Sequence, residues 1–359
     1  MRRFHGGANM NIGKIDPNFL MGSKFASDEY IWRNAQDTPF EIRGLAVCSG
    51  EDFFRVPMDI AKATSEGVLQ LSTHTAGGRV RFKTDSKKIA VRVHSRHAFT
   101  MSHMPLTGIS GVDIFANGIF IGSVRPEIPN GDWYEGFVSN PQGEAEIEIN
   151  LPLYNGVTAI LVGLDVGAFC VSPRKYTYDK PVVYYGSSIT QGGCASRPGN
   201  SYQGFVSRWL DSDHVNLGFS GNGRGEEPMA KFIASIDMCA FVMDYDHNAP
   251  SAEHLLNTHE RMFKIVREAH PDIPVIMITK PDIEKDPENA EARRAAIYRT
   301  YENAVNSGDK NVYFIDGKTM FGRKDRDACT VDGCHPNDLG FYRMAEAIYP
   351  VVKASLEKN

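Results

Sequence analysis

Apolar residues at every second position mark the chain from about Gly67 to Val166. The segments GVLQLSTH, GGRVRFKTDS, KKIAVRVHS, GVDIFANGIFIGSV, EAEIEINL and TAILVGLDV are short and separated by turn residues. Ile89, Val91 and Val93 recur at alternate steps, as do Ile147, Ile149 and Leu151, which is the period of a strand with one face inward. Asn117-Gly118 lies between two such runs, and both positions of a tight type I′ hairpin need positive φ, which Asn and Gly tolerate best. An all-β sandwich of jelly-roll type over residues 41–178 is the expectation.

Beyond the polar stretch SPRKYTYDKP the pattern changes. Apolar strands now alternate with helical periods, the signature of a parallel sheet with crossover helices. The predicted strands are Val182 to Tyr185, Val215 to Leu217, Ala240 to Met243, Val275 to Thr279 and Val312 to Ile315. Leu255, His259, Met262, Phe263 and Val266 fall on one helix face, and Phe341, Met344, Ala345, Ile348 and Val352 on another. Five such units predict a three-layer α/β domain over residues 179–359. Residues 1–40 are expected to be a leader segment outside both domains.

Composition supports two soluble domains: 359 residues, 42% hydrophobic and 23% charged, exceed what most single cores hold. A net charge of −5 gives no basic excess, so a nucleic-acid partner is not expected. No run approaches the ~20 apolar residues of a membrane span, and the N-terminus lacks the apolar core of a signal peptide. A cytoplasmic protein without a membrane partner is the expectation. The six cysteines show no zinc or redox spacing. Cys329 and Cys334 are near enough in sequence to raise a disulfide, but a bridge there would constrain a loop needed for chemistry, and reduced thiols are the simpler reading.

In an open parallel sheet ligands bind beyond the carboxyl ends of the strands. Four such ends carry unusual residues. YYGSSITQGG puts Ser188 in the turn after the first strand, a candidate nucleophile or a helix-cap serine. NLGFSGNGRG leaves backbone amides free of side-chain cover, fit for an oxyanion or for a flexible turn. MDYDHNAP offers Asn248 as an uncharged side-chain donor, or an Asx turn into a helix. TVDGCHPNDLG sets Asp332 three residues before His335, so that a carboxylate can hold the imidazole Nδ1 proton and aim Nε2 at a serine; Pro336 and Asn337 equally suit a helix start. Nucleophile, donors and acid–base pair follow one another along successive strand ends.

On these four segments the second half of the chain resembles the SGNH (GDSL-type) hydrolases. GSSIT is similar to their Gly-Asp-Ser block, NLGFSG to the glycine block, MDYDHN to the position of the asparagine block, and DGCHP to the final Asp-x-x-His block. The resemblance implies a flavodoxin-like domain in which Ser188 is the nucleophile, His335 the base and Asp332 its orienting acid. It also implies an oxyanion hole from the Ser188 and Gly221 amides, with Asn248 proposed from position, and no cofactor or metal. Two departures stand out. Ser187 replaces the usual Asp, which predicts altered anchoring of the loop without loss of activity. The usual Gly-x-Asn-Asp is missing, and Asp244 and Asp246 are expected to brace the loop that carries Asn248.

The β-sandwich ahead of such a domain, with GVDIF similar to a Gly-x-Asp-Leu-Tyr segment, resembles the two-domain proteins that include family two carbohydrate esterases. That implies deacetylation of sugars; lipase or thioesterase action is the alternative. The segment HAFTMSHMPLTG reads either as a wall of the cleft or, more simply, as packing between domains. A glycan-binding protein without activity is a different class of reading, against which Ser188, Asp332 and His335 speak. A metal site from Asp244, Asp246, His214 and His247 matches no ligand spacing.

Overall fold

The computed structural model describes residues 30–129 and 131–358. Two antiparallel sheets form the N-terminal half. One orders Tyr30–Asn34, Val157–Asp165, Lys88–Ser95 and Trp133–Ser139; the other orders Cys170–Val171, Arg79–Thr84, Ala145–Asn150, Val112–Ala116 and Ile119–Val124, with Glu41–Arg43 paired to Arg79–Thr84. Their inner faces meet in a core that includes Val80, Phe82, Ile89, Val91, Val93, Ile147, Ile149 and Val162, which are the alternating positions of the sequence. Asn117 and Gly118 have φ of 50° and 77°, as a type I′ turn requires.

Two features differ from the expectation. Tyr30–Asn34 pairs in register with Asp165 to Leu161, so the sandwich begins within the segment assigned to the leader. Residues 1–29 of that segment lie outside the described residues. GVLQLSTH is also not a strand: residues Glu66–Leu71 form a helix, capped by Ser65, whose side chain accepts from Val68 N–H. Val68 and Leu71 sit three apart and face the α/β half, together with Val56 and Ala61, so this helix and Met58–Thr64 add cover to one face of the parallel sheet.

That sheet orders Ser212–Gly218, Tyr178–Gly186, Ala240–Asp244, Val275–Ile278 and Val312–Ile315, all parallel. The chain leaves Tyr178–Gly186 toward one neighbour and returns on the other side. The switch point therefore flanks the end of the strand that delivers Ser188. Helices Tyr202–Leu210 and Asp338–Leu356 cover one face, and Glu227–Ala234, Ala252–Ala269 and Pro287–Asn306 the other. The first of these cores runs into the sandwich half through Ala76, Met104, Ile109, Leu153 and Tyr154.

Candidate active site

The turn after the first parallel strand is tight because nothing larger than glycine fits at its start. A Cβ on Gly186 would lie 2.1 Å from Thr190 Oγ1 and 2.2 Å from the Asp244 carbonyl oxygen. Ser187 then caps the short helix Ser188–Gln191: its Oγ accepts from Ile189 N–H at 3.1 Å, and its own N–H donates to Thr190 Oγ1 at 3.1 Å. Thr190 passes the anchor on, donating to Asp244 Oδ2 at 2.9 Å. The loop is thus held by a capping box, the altered anchoring expected from Ser187 at this position. Ser188 opens the helix, so its N–H has no intrahelical acceptor.

The final loop brings Asp332 and His335 to the same place. Asp332 Oδ1 accepts from the N–H groups of Cys334 at 2.9 Å and His335 at 2.8 Å, and Oδ2 faces His335 Nδ1 at 2.8 Å. His335 Nε2 lies 2.9 Å from Ser188 Oγ. With Nδ1–H donating to the carboxylate, Nε2 is left as the acceptor toward the serine. Partial burial works against charge on Asp332, but the hydrogen bonds from His335 and Cys334 outweigh it and hold the carboxyl well below its ordinary range. Asn337 caps the C-terminal helix through Gly340 N–H, so the capping and the acid–base arrangement coexist. Cys194 N–H donates to the Pro336 carbonyl at 2.8 Å, tying this loop to the segment after the Ser188 helix.

The glycine loop and Asn248 converge on one carbonyl. Phe219 O accepts from Asn222 N–H at 2.8 Å, Gly223 N–H at 3.1 Å and Asn248 Nδ2 at 2.7 Å. The last bond uses one amide proton of Asn248 and leaves the other for a ligand. Gly221 has φ of 71°, a conformation that favours glycine, and open space where a side chain would stand. Asp246 accepts from Lys280 N–H and Arg293 Nε at 2.9 and 2.8 Å, and Asp244 from Tyr202 Oη at 2.8 Å, so both brace the loop that carries Asn248.

Several residues around this site come from the sandwich half and had no motif to reveal them. Tyr154 Oη donates to the Ser188 carbonyl at 2.9 Å. Gln191 binds the Leu153 carbonyl and His74 Nδ1, each at 3.0 Å, and accepts from Ser220 N–H at 3.0 Å. Burial and the nearby Arg55 charge push His74 down to about 3, so it stays a neutral acceptor. Arg55 is wholly buried and donates to four carbonyls of Leu71, His74, Asn216 and Gly218. The HAFTMSHMPLTG segment serves both of its readings: Met104 packs in the shared core, and the His103 ring centroid lies 5.5 Å from that of His335.

The metal set weighed from sequence is dispersed. His214 packs against Arg79, Asp244 and Asp246 hold the contacts given above, and His247 lies 2.6 Å from Asp282. All six cysteines are free, Cys329 buried beside Phe321 and Arg343 and Cys334 beside His247.

Asp244 gives a pH prediction. Burial raises its carboxyl from 3.8 to about 6, against the hydrogen bonds of Tyr202 and Thr190. The folded protein holds this proton more tightly than the unfolded chain, so this contribution to stability is present at low pH and is lost as pH rises through the interval, roughly 3 kcal/mol in all. Asp244→Asn keeps an acceptor for both hydroxyls and removes the titration. Its melting temperature relative to the native protein should rise between pH about 4 and about 7; curves that run parallel would refute the assignment.

Comparison with known proteins bears on this geometry. The model of the GDSL-like lipase/acylhydrolase family matches residues 179–353, and that of the GxDLY N-terminus of SGNH-hydrolase-type esterases matches residues 30–169. No curated protein matches. Among solved structures, a Bacteroides ovatus protein described as a GDSL-like lipase is 30% identical with a TM-score of 0.82, over 91% of this chain and 98% of its own. The salicylyl-acyltransferase SsfX3 from a tetracycline biosynthetic pathway is 20% identical with a TM-score of 0.76, over 92% and 98%. A family two carbohydrate esterase from Cellvibrio japonicus is 13% identical with a TM-score of 0.59, over 91% and 98%. The two family matches adjoin in the chain as the two domains do in space, and this chain belongs to the GDSL-like lipase/acylhydrolase family, with the GxDLY type of N-terminal domain.

Proposed function

We propose that the chain is a serine esterase that removes short acyl groups, acetyl foremost, from carbohydrate hydroxyls. The reading is carried by the unbroken hydrogen-bonded line from Asp332 through His335 to Ser188 Oγ. Ser188 attacks the ester carbonyl as His335 Nε2 takes its proton. The oxyanion is met by the N–H groups of Ser188 and Gly221 and by the second amide proton of Asn248. His335 then gives the proton to the departing alcohol oxygen, and a water activated by the same imidazole releases the acyl group from Ser188. The site uses this chain's own groups at each of these steps.

Short acyl groups are favoured because the sandwich half brings His103 beside His335, and carbohydrate is favoured by the likeness to the Cellvibrio esterase. Hydrolysis of acetylated saccharides, nitrophenyl acetate and long-chain aliphatic esters tests the reading. Acetyl esters should turn over fastest, with acetylated saccharides ahead of simple alcohol acetates. Faster cleavage of long-chain esters would make the protein a lipase-type hydrolase instead.

A further inference from the structure

A second cluster of titratable and nucleophilic side chains adjoins the first. His247, Asp282 and Cys334 come from three separate segments, the turn Asp246–Asn248, the loop after the strand Val275–Ile278, and the loop that carries His335. Their nitrogen, oxygen and sulfur atoms all lie within 4.8 Å of one another. His247 Nε2 meets Asp282 Oδ1 at 2.6 Å, and the two side chains are 9% and 10% exposed, while Cys334 is only half-buried. The three groups form a compact cluster, with the Cys334 sulfur within 4.8 Å of both the imidazole and the carboxylate, so the thiol has a base beside it without repeating the extended line of Asp332, His335 and Ser188.

We propose that Cys334 is a nucleophilic thiol that exchanges with small-molecule disulfides, and that the resulting adduct turns off the hydrolytic site beside it. In the exchange the Cys334 sulfur attacks one sulfur of the disulfide, and the second leaves as a thiolate. The proton lost from Cys334 is held by His247, whose positive charge Asp282 balances, and passes to the departing thiolate. One S–S bond breaks and one forms, with the small disulfide as the oxidant. An excess of free thiol reverses the step.

Two observations make this cysteine distinct. The other thiols are poorly placed: burial pushes Cys194 and Cys239 up to about 12 and raises Cys48 and Cys170, and Cys329 is fully buried. Cys334 also sits where a substituent matters. Its N–H donates to Asp332, the next residue is His335, and the His247 it faces precedes Asn248. An adduct the size of a tripeptide between these two loops forces apart the base and the oxyanion donor.

The consequence for hydrolysis rests on the esterase reading above; the reactivity of the thiol does not. Reduced full-length protein is treated with glutathione disulfide, followed by intact mass, peptide mapping and nitrophenyl acetate hydrolysis. The first adduct should map to Cys334, with hydrolysis falling about tenfold or more in step with it and returning with dithiothreitol. Cys334→Ser should hydrolyse normally and be insensitive to the disulfide. His247→Gln should form the adduct about tenfold more slowly. The proposal is overturned by an adduct that appears first on another cysteine, by an undiminished rate in His247→Gln, or by full hydrolysis from protein carrying the adduct. Protein that binds one zinc ion through these three side chains and reacts only after chelation would replace it with a metal site. If the untreated protein hydrolyses nothing, the esterase reading fails, and the mapped adduct still decides the thiol.

Discussion

Ser188→Ala should leave a folded protein that has lost hydrolysis of nitrophenyl acetate by on the order of 1000-fold or more. The hydroxyl meets His335 Nε2 at 2.9 Å and is the group that would bond to the acyl carbon, so its removal leaves only binding and the oxyanion donors. Stability should hardly change. The Oγ makes that one side-chain contact, and the turn around it is held by Ser187, Thr190 and Asp244, which the substitution does not touch. A melting curve identical to that of the native protein makes the kinetic result interpretable. Turnover within a few-fold of native would show that another group attacks the ester, and the whole assignment of Asp332 and His335 would fall with it.

The α/β half was legible in the sequence because its signals are local. The apolar face formed by Phe341, Met344, Ala345, Ile348 and Val352 is a period that any helix imposes, and all five are buried. The five strands were legible for the same reason, and the catalytic candidates followed from where those strands end. GVLQLSTH shows the limit of such patterns. Leu69 and Leu71 alternate as a strand would, yet Val68 and Leu71 also sit three apart, and the Ser65 cap together with a tertiary face to cover decided for helix. Cys334 was legible only as a neighbour of Cys329. Its contacts are with His247 and Asp282, brought to it by strands far apart in the chain.

Arg55 is the clearest case of a residue that no sequence pattern announces. It lies in a segment without period or motif, yet its guanidinium binds the carbonyl oxygens of Leu71 at 2.7 Å, His74 at 2.9 Å, Gly218 at 2.5 Å and Asn216 at 3.2 Å, and stands over the Phe219 ring. No carboxylate among the described residues pairs with it. Burial lowers it to about 9, so it remains charged at neutral pH and serves as a cation for the carbonyls of two domains. Two of those carbonyls end the strand Ser212–Gly218, and the next residue is Phe219, whose own carbonyl holds Asn248 and the turn bearing Gly221. Arg55 is thus a positioning residue for the loop proposed to carry the oxyanion donors. Arg55→Ala would strand four buried acceptors and should lower stability by on the order of 4 kcal/mol. For a chain of this size, that is a fall of roughly 5 °C in melting temperature. Below the transition, kcat for nitrophenyl acetate should fall about tenfold or more with KM little changed, because the donors for the transition state are displaced while the entrance is not. Arg55→Lys should recover only part of either loss, since three ammonium donors do not match the planar fork. A variant that melts lower but keeps its kcat would confine Arg55 to holding the domains together; one unchanged in both would mean that the four carbonyls find water instead.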